Sequence, residues 1–288
     1  MSKLLYGKPV ADKLYQHVDM LTNGMAMGPL LLTVGCYDEQ WMQYTQSLAN
    51  SCAKHNIRIQ NDILSDYDEQ LFVDRLNGNL RAVEPNGVLV QQPLPSHMHD
   101  FVNFVPIDLD IDCVTDTSVA RLYRGEKGFR PATAQAVVEM LDFYDIPLQG
   151  KRVVVVGRGN AVGKPLALML LQRNATVTIC HSKTQNLAEV CRGADILVSA
   201  TGQPGLITAD FVTPNSIVID VGLSFIDGKT CGDVDPTVYD IVQAVSPVPG
   251  GIGPVTRAAL LCNLLDGMDA VVERALDQPM GFNGKREQ

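Results

Sequence analysis

The stretch Val153-Val-Val-Val-Gly-Arg-Gly-Asn-Ala-Val-Gly-Lys-Pro165 decides the fold of this chain. It predicts a buried strand over Arg152–Val156, then a glycine-rich turn and a helix. In such a turn, glycines let the backbone approach a pyrophosphate, and the helix N-terminus offers free N–H groups and a positive dipole. The spacing Gly157-x-Gly159-x-x-x-Gly163 is one residue longer than the usual dinucleotide fingerprint, and a purely structural turn would also use glycine. The strand–turn–helix context favours a nucleotide site.

The residues after the next strand indicate which dinucleotide binds. The predicted strand Thr176–Cys180 continues into His181-Ser182-Lys183-Thr184, without the carboxylate that an NAD site usually places there. A hydroxyl, a lysine and Arg158 in the glycine turn suit a ribose 2′-phosphate. The sequence therefore predicts NADP rather than NAD, with solvated surface charge as the alternative explanation of Arg158 and Lys183.

Apolar runs alternate with segments of helical period along the whole chain, which is typical of an α/β protein. Continuous apolar strands in the second half predict a parallel sheet that is covered on both faces. The remaining predicted strands are Leu30–Val34, Ile57–Ile63, Gly87–Val90, Asp195–Ser199 and Ser216–Asp220. The predicted helices are Ala11–Leu21, Gln40–His55, Glu69–Leu76, Pro131–Tyr144, Val162–Gln172 and Val255–Glu273, and the polar segment Gly281–Gln288 is expected to be frayed.

Composition narrows the class of protein. The length of 288 residues suggests about two domains. The formal net charge of −9 argues against a nucleic-acid partner, because nucleic-acid binding requires a clustered basic surface. No apolar run approaches the ~18 residues of a membrane helix, and the first residues lack a signal-peptide pattern, so we expect a cytoplasmic protein without a membrane partner. The seven scattered cysteines, without a C-x-x-C pair, predict buried thiols rather than disulfides or a zinc site. The pair His97 and His99 has no third ligand at useful spacing, so we expect two solvated loop histidines rather than a metal site.

A set of motifs in both halves carries a resemblance to a known family. The motifs are 157–165, 175–184, 200–205, 218–222 and 247–256 in the second half, and 90–95 and 108–112 in the first. Together they closely resemble the methylenetetrahydrofolate dehydrogenase/cyclohydrolase family over nearly the whole chain. The resemblance implies an N-terminal α/β folate domain over residues 1–130, completed by a C-terminal helix at 255–288. It also implies a Rossmann-like parallel-sheet NADP domain over 131–254, a folate cleft between the domains, tetrahydrofolate derivatives as substrates and a homodimer.

The resemblance also assigns roles to particular residues. Tyr44, Gln91 and Asp112 match the family's catalytic tyrosine, glutamine and aspartate. The other implied substrate-binding residues are Pro93, Pro249, Gly250 and Gly251. The implied NADP-binding residues are Gly157, Arg158, Gly159, Gly163, His181, Ser182, Lys183, Thr201, Gly202, Val221 and Gly222, and no metal is expected.

One departure from the family concerns its chemistry. The family carries a lysine four residues after the tyrosine, and here that position is Leu48, with the spacing from Tyr44 to Cys52 supporting the alignment. Because positions 44 and 48 share a helix face, we expect Leu48 to project into the cleft where an ammonium would lie. Lys54 is ten residues from Tyr44 and points elsewhere. Further departures in this half are Cys113 and Ala132–Ala134.

The missing lysine predicts which reaction is retained. Hydride transfer needs proximity and alignment, whereas hydrolysis of the methenyl cation needs proton transfer and a polarised water. The sequence therefore predicts an NADP-dependent methylenetetrahydrofolate dehydrogenase with weak or absent cyclohydrolase activity. The alternatives are a fully bifunctional enzyme, a paralogue that acts on another pterin-like or imine substrate, and a non-catalytic NADP-binding protein.

Overall fold

Two parallel sheets contain most strands of the computed structural model, which describes residues 2–226 and 229–277. The first sheet has the order β3-β2-β4, with β2 at Leu30–Cys36, β3 at Arg58–Leu64 and β4 at Gly87–Val90. The second has the order β1-β11-β8-β7-β5-β6, and a two-stranded hairpin pairs β9 with β10. These strands are β1 (Lys3–Leu4), β5 (Arg152–Val156), β6 (Thr176–Cys180), β7 (Ile196–Ser199), β8 (Ile217–Asp220), β9 (Ser224–Ile226), β10 (Lys229–Cys231) and β11 (Ala244–Val245).

Helices cover the faces of the two sheets, and the predicted α/β fold is confirmed. They are α1 (Gly7–Thr22), α2 (Glu39–Lys54), α3 (Glu69–Val83), α4 (Asp116–Arg124), α5 (Ala132–Phe143), α6 (Gly163–Gln172), α7 (Leu187–Arg192) and α8 (Ile252–Asp277). His97 and His99 are exposed, as expected, but the predicted loop is wrong, because both lie in a 3₁₀ helix, Ser96–Phe104, whose Met98 and Phe101 are fully buried. Burial of these apolar side chains orders the segment.

The six-stranded sheet shows why its strands read as unbroken apolar runs. Val153 and Val155 of β5 belong to one apolar cluster, while Val154 and Val156 belong to another. Successive side chains of a strand point to opposite faces, so a strand covered on both faces must be apolar throughout. The prediction of a parallel sheet with two covered faces is therefore confirmed.

Local signals fix the position of helix α2. The Asp38 side chain accepts a hydrogen bond from the backbone N–H of Trp41 at 2.9 Å and caps the helix. Glu39 in the first turn and Lys54 in the last turn complement the helix dipole. Trp41, Leu48 and Cys52 then face the core, which places Tyr44 beside them.

The ends of the chain do not follow a simple division into halves. Lys3–Leu4 pairs in parallel with Ala244–Val245, so the first residues extend the second sheet. Helix α8 packs against both α1 and α5 and begins at Ile252. The predicted domain division into 1–130, 131–254 and 255–288 remains a proposal, although β1 belongs to the second sheet. The segment Gly281–Gln288, which is expected to be frayed, lies outside the described residues.

Two further expectations concern cysteines and membranes. All seven cysteines are free thiols, and all are buried except Cys231, which is half-buried. The prediction of buried thiols is thus confirmed for six of them. Among residues 2–226 and 229–277, no helix is long and apolar enough to cross a membrane.

Candidate active site

The predicted glycine turn lies where the strand order of the second sheet reverses. Strand β6 lies on one side of β5 and β7 lies on the other, so the loops after β5 and β7 diverge at this point. Ligands of open parallel sheets bind at the carboxyl ends of the strands at such a switch point. Gly157 adopts φ +123°, and a Cβ there would lie only 2.3 Å from the carbonyl oxygen of Ala200. Glycine is therefore required where the two loops meet.

The other two glycines of the turn have different roles. A Cβ at Gly163, the first residue of α6, would lie 2.0 Å from the carbonyl oxygen of Gly157, so this glycine lets helix and strand pack closely. A Cβ at Gly159 would meet no atom within 4 Å. Open space beside a helix N-terminus is what a pyrophosphate requires, and the residues present fit a dinucleotide.

The residues predicted to select NADP lie at the carboxyl end of β6. The backbone N–H of His181 donates to Thr184 Oγ1 at 2.9 Å, and that of Lys183 donates to His181 Nδ1 at 3.1 Å, which forms a tight turn. Ser182, Lys183 and Arg158 are exposed. The N–H of Gly157 donates to the carbonyl of Cys180 at 2.9 Å, so the two turns are adjacent.

Thr201 lies at the carboxyl end of β7, but its hydroxyl has an internal partner. Its backbone N–H and its Oγ1 both donate to Asp233 Oδ2, at 2.7 and 2.8 Å, and Ser199 Oγ donates to the same oxygen at 2.8 Å. Both donors of Thr201 are thus used inside the protein, and its contact with a cofactor stays a prediction. The neighbouring Gly202 has open space around its Cα. Asp233 is fully buried, and no sequence motif had marked it.

A second buried carboxylate orders the loop that contains Val221 and Gly222. Asp220 accepts hydrogen bonds of 3.0 Å from the backbone N–H groups of Gly222, Asp233 and Val234. Burial raises the pKa of Asp220 to about 6, against the opposing effect of these hydrogen bonds. The loop then presents Leu223, which is 63% exposed, beside the predicted cofactor residues.

In the first half, Tyr44 lies in an aromatic pair with Trp41, with a distance of 6.0 Å between ring centroids. Burial above all, and then the charge of Asp112, raise the pKa of the Tyr44 phenol, while the charge of Arg257 lowers it. The Asp112 carboxylate is therefore close enough to Tyr44 to act on the phenol electrostatically, and their shared catalytic role stays a prediction. The phenol of Tyr44 remains protonated at neutral pH.

Asp112 connects the candidate site to the start of helix α5. Its Oδ1 accepts a hydrogen bond of 2.8 Å from the backbone N–H of Ala132. Burial raises the pKa of Asp112 to about 7, with this hydrogen bond opposing the shift. Asp112 thus caps a helix, and its carboxyl group changes charge near neutral pH.

Gln91 is buried at the end of β4, where its side chain is held by other groups than Tyr44. Its Oε1 accepts a hydrogen bond of 2.7 Å from the backbone N–H of Cys36, and its side chain contacts the Tyr67 phenol. A Cβ at Gly35 would lie 2.7 Å from this Oε1 and 2.6 Å from Trp41 Nε1, so glycine lets both side chains approach. Pro93, which follows a cis peptide bond, is exposed nearby.

The expectation that Leu48 projects into an open cleft is wrong. Leu48 lies one turn from Tyr44 but is fully buried, in the apolar cluster that contains Leu89, Ile111 and Leu260. An apolar side chain gains free energy by leaving water, so it packs inward rather than lining a polar opening. No ammonium occupies the position next to Tyr44 on this helix.

The predicted substrate residues Pro249, Gly250 and Gly251 form the turn that leads into α8. The carbonyl of Gly250 accepts a hydrogen bond of 2.8 Å from the N–H of Gly7 at the start of α1. A Cβ at Gly251 would lie 2.5 Å from the carbonyl oxygen of Pro247, which explains the glycine there. A cavity of about 670 Å³ adjoins this turn and the loop after β7, lined by Pro204, Gly205, Gly232, Tyr239, Pro247 and Val248.

Two residues of the candidate site were missed by sequence reasoning. Trp41 Nε1 and Arg257 Nε are buried nitrogen atoms without a hydrogen-bond partner among the described residues. Trp41 pairs with the Tyr44 ring, and Arg257 acts on the Tyr44 phenol from helix α8. In the same part of the chain, no group of three or more His, Cys, Asp and Glu side chains could hold a metal ion.

A parallel sheet with a glycine turn at its switch point, together with a second, three-stranded parallel sheet, defines a dinucleotide-binding α/β protein. The chain belongs to the tetrahydrofolate dehydrogenase/cyclohydrolase family. A family model described as "Tetrahydrofolate dehydrogenase/cyclohydrolase, NAD(P)-binding domain" matches residues 131–271. The resemblance drawn from the motifs and the predicted dinucleotide-binding domain are thereby confirmed.

Relatives of known name support this membership over nearly the whole chain. The "Bifunctional protein FolD" of Clostridium perfringens is 38% identical over 280 residues, which cover 93% of this chain and 100% of that protein. The bifunctional FolD methylenetetrahydrofolate dehydrogenase/cyclohydrolase of Campylobacter jejuni has a TM-score of 0.89 at 31% identity, covering 94% and 100% of the two chains. The Trypanosoma brucei enzyme, solved with NADP and an inhibitor, has a TM-score of 0.87 at 30% identity, covering 94% and 98%.

Proposed function

We propose that this protein is an NADP-dependent methylenetetrahydrofolate dehydrogenase with weak or absent cyclohydrolase activity. The observation that carries the proposal is the pair Tyr44 and Leu48, in which a protonated phenol lies one helical turn from a fully buried leucine. The matched C. jejuni relative is named as bifunctional. The proposed loss of the second activity therefore distinguishes this chain from that relative.

The dehydrogenase half of the proposal rests on groups that bind and orient. The turn around Gly159 leaves open space for a pyrophosphate, and exposed Arg158 and Ser182 supply a cation and a hydroxyl for a 2′-phosphate. When bound, the nicotinamide supplies the hydride acceptor. The Asp112 carboxylate suits the paired donors of a pterin, because a carboxylate accepts two hydrogen bonds side by side. Hydride transfer does not require Tyr44 to give or accept a proton.

The cyclohydrolase half depends on proton transfer, for which Tyr44 has no suitable neighbour on its helix. Its phenol is protonated at neutral pH, so it does not act as a base. Leu48 offers no polar atom, and the nearby Arg257 is a permanent cation that does not exchange protons at neutral pH. Hydrolysis of a methenyl cation is therefore expected to proceed at close to the uncatalysed rate.

A second candidate function, full bifunctionality, is favoured by Asp112. Its pKa of about 7 gives a mixture of carboxylate and carboxylic acid at neutral pH, which is suited to general acid–base catalysis. In that case Asp112 would activate water without a lysine. A third candidate, a paralogue with another pterin-like or imine substrate, is favoured by the departure at Cys113.

One assay separates these candidates. Methylenetetrahydrofolate and NADP are mixed with the protein, and the absorbances of NADPH and of the methenyl product are followed together. We expect NADPH to form and the methenyl signal to decay at the buffer-only rate. Rapid enzyme-dependent loss of the methenyl signal would support full bifunctionality instead, and absence of NADPH formation would support a different substrate.

Leu48→Lys tests whether the missing ammonium explains the proposed loss. General acid–base help is typically worth about 10²–10⁴-fold, so even partial restoration of methenyl hydrolysis is measurable. Leu48→Met, which conserves apolar volume, is the matched control and is expected to add no hydrolysis. Thermal unfolding of both variants checks the fold, since a lysine in this apolar cluster is costly. Hydrolysis that stays at the buffer rate in folded Leu48→Lys would contradict this explanation.

The proposal includes a homodimer in the cytoplasm, without nucleic-acid or membrane partners. The formal net charge of −9 supports the absence of a nucleic-acid partner. Sedimentation velocity measures the oligomeric state, and a purely monomeric protein would contradict the dimer.

A further inference from the structure

Arg257 is a cation beside Tyr44 that lies on helix α8 rather than on α2. It is half-buried in the first part of the helix. Burial raises the pKa of both Tyr44 and Tyr15, and the Arg257 charge opposes that shift at each phenol, helped at Tyr15 by a side-chain hydrogen bond between the two residues. Arg257 is thus close to two phenols, one from α1 and one from α2.

The hydrogen-bonding capacity of this guanidinium is not fully used. Its Nε is buried and has no acceptor among residues 2–226 and 229–268, whose side chains the structure describes. Within the same residues, no salt bridge joins Arg257 to a carboxylate. Trp41 Nε1, on the ring that pairs with Tyr44, is a second buried donor without an acceptor among the described side chains. Buried donors are almost always satisfied in folded proteins, so two of them around Tyr44 indicate a ligand that supplies acceptor oxygens.

The neighbours of Arg257 hold one side of it in place. The ring of Tyr15 stacks on His55 with 4.2 Å between centroids, and His55 Nδ1 lies 2.6 Å from Asp19 Oδ1. Ser51 contacts the Tyr15 phenol as well. Because Tyr15 is fixed in this way, it can support the guanidinium while the remaining N–H groups bind a ligand.

We propose that Arg257 is a substrate-binding residue whose guanidinium binds a carboxylate or carbonyl oxygen in the aminobenzoylglutamate part of a folate. The inference rests on the proposed function. A cation cannot pair with the donor edge of a pterin, which a carboxylate such as Asp112 matches. The planar guanidinium suits carboxylate and carbonyl oxygens of the remaining part of the molecule.

Binding can be measured with the protein's own fluorescence, because Trp41 is the single tryptophan of the chain and pairs with Tyr44. The three ligands are tetrahydrofolate, tetrahydropteroate, which lacks the glutamate, and tetrahydropterin, which lacks the whole aminobenzoylglutamate part. The variants are Arg257→Leu and Arg257→Lys. The control is Arg152→Leu, which also removes one arginine charge. Arg152 is the first residue of β5, at the end of the strand away from the glycine turn, and its side chain is 66% exposed and paired with Asp195.

We expect Arg257→Leu to weaken tetrahydrofolate binding about ten- to hundredfold, the usual effect of losing one hydrogen bond to a charged group. Arg257→Lys should be intermediate, because it keeps the charge but not the planar donors. Tetrahydropterin binding should be unchanged in both variants, and Arg152→Leu should bind all three ligands like the unmodified protein. In the dehydrogenase assay, KM for the folate should rise while kcat stays the same. If Arg257→Leu weakens tetrahydropteroate binding as much as tetrahydrofolate binding, Arg257 binds the benzoyl oxygen that both ligands carry. If tetrahydropteroate binding is unchanged, Arg257 binds a carboxylate of the glutamate.

Two outcomes would overturn the proposal in distinguishable ways. If Arg257→Leu binds tetrahydrofolate as tightly as Arg152→Leu does, Arg257 does not bind the substrate. If tetrahydropterin binding falls as much as tetrahydrofolate binding, Arg257 has a structural role only. If Arg257→Leu does not fold, Arg257→Lys decides in the same comparison. Failure of the unmodified protein to bind tetrahydrofolate or to form NADPH would instead reject the proposed function.

Discussion

Oδ1 of Asp112 accepts a hydrogen bond of 2.8 Å from the backbone N–H of Ala132, the first residue of helix α5. This bond fixes a carboxyl group of the candidate folate site to the start of the element that leads towards the second sheet. Burial at this junction raises the pKa of Asp112 to about 7.

Folate affinity is expected to rise with pH as Asp112 ionises. Pterin donors pair best with the charged carboxylate, so the dissociation constant of tetrahydrofolate should fall as the pH passes through about 7. Asp112→Asn should bind more weakly and lose this pH dependence. Fluorescence titration of Trp41 from acidic to mildly alkaline pH measures both effects. An unchanged pH profile in the folded variant would show that Asp112 does not bind the pterin.

The stability of the protein should carry the opposite pH signature. Because the pKa of Asp112 is raised on folding, the folded protein binds this proton more tightly than the unfolded chain does. The stabilising contribution is complete below about pH 4 and is lost as the pH rises through about 7. Asp112→Asn should flatten that part of the curve in denaturant unfolding experiments, and the remaining slope includes Asp220, whose pKa is raised in the same direction.

The three glycines of the nucleotide turn should separate folding from binding. Gly157→Ala and Gly163→Ala each place a Cβ within 2.3 Å of a backbone oxygen, so both should lower the melting temperature. Gly159→Ala meets no atom within 4 Å, so it should leave the melting temperature unchanged and weaken NADP binding by occupying the pyrophosphate space. Thermal unfolding with and without NADP measures the separation. A Gly159→Ala variant that is stabilised by NADP as much as the unmodified protein would place the pyrophosphate elsewhere.

Cofactor choice should depend on Arg158 and Ser182. Removing either by alanine substitution should raise KM for NADP about ten- to hundredfold and leave KM for NAD nearly unchanged, because one charge-assisted contact to the 2′-phosphate is lost. Lys151→Ala, at the opposite end of β5, is the matched charge control. Equal use of NADP and NAD by the unmodified protein would reject the preference.

Replacing Cys113 by glycine should leave the protein more stable than replacing it by alanine. It has φ +55°, a left-handed conformation that costs about 1–2 kcal/mol for a residue with a Cβ. Both Cys113→Gly and Cys113→Ala lose the buried thiol, but only glycine relieves the backbone. Cys113→Gly should therefore be more stable than Cys113→Ala by about 1 kcal/mol, measured by denaturant unfolding. The reverse order would show that this backbone conformation carries no strain.

The sequence predicted the elements of the fold well, because their signals are local. The glycine turn after β5 and the apolar run of Val153–Val156 predict a strand, a turn and a helix without knowledge of the rest of the chain. The pairing of Lys3–Leu4 with Ala244–Val245 could not be predicted, since strands of two residues carry no periodicity.

The candidate site was only partly predictable for a related reason. Tyr44 and Asp112 were found through motifs, whereas Arg257 approaches Tyr44 from a helix more than two hundred residues later in the chain. The orientation of Leu48 was mispredicted, because its helical position is shared with Tyr44 but its burial depends on α8 and the first sheet. Asp233 carries no local signal at all, and its role became visible only from its three hydrogen bonds to Ser199 and Thr201.

The pairing of β1 with β11 has a consequence for recombination between relatives. A chimera that exchanges everything from residue 131 onward would leave the native Lys3–Leu4 edge facing a foreign β11, and the native α1 facing a foreign α8. A functional exchange of the nucleotide-binding part therefore needs three crossover points: one just after β1, one near the start of α5, and one before α8, so that β1 travels with β11 and α8 stays with α1. Grafting experiments are subject to this rule, because β1 and α1 each pack against elements of the second half of the chain.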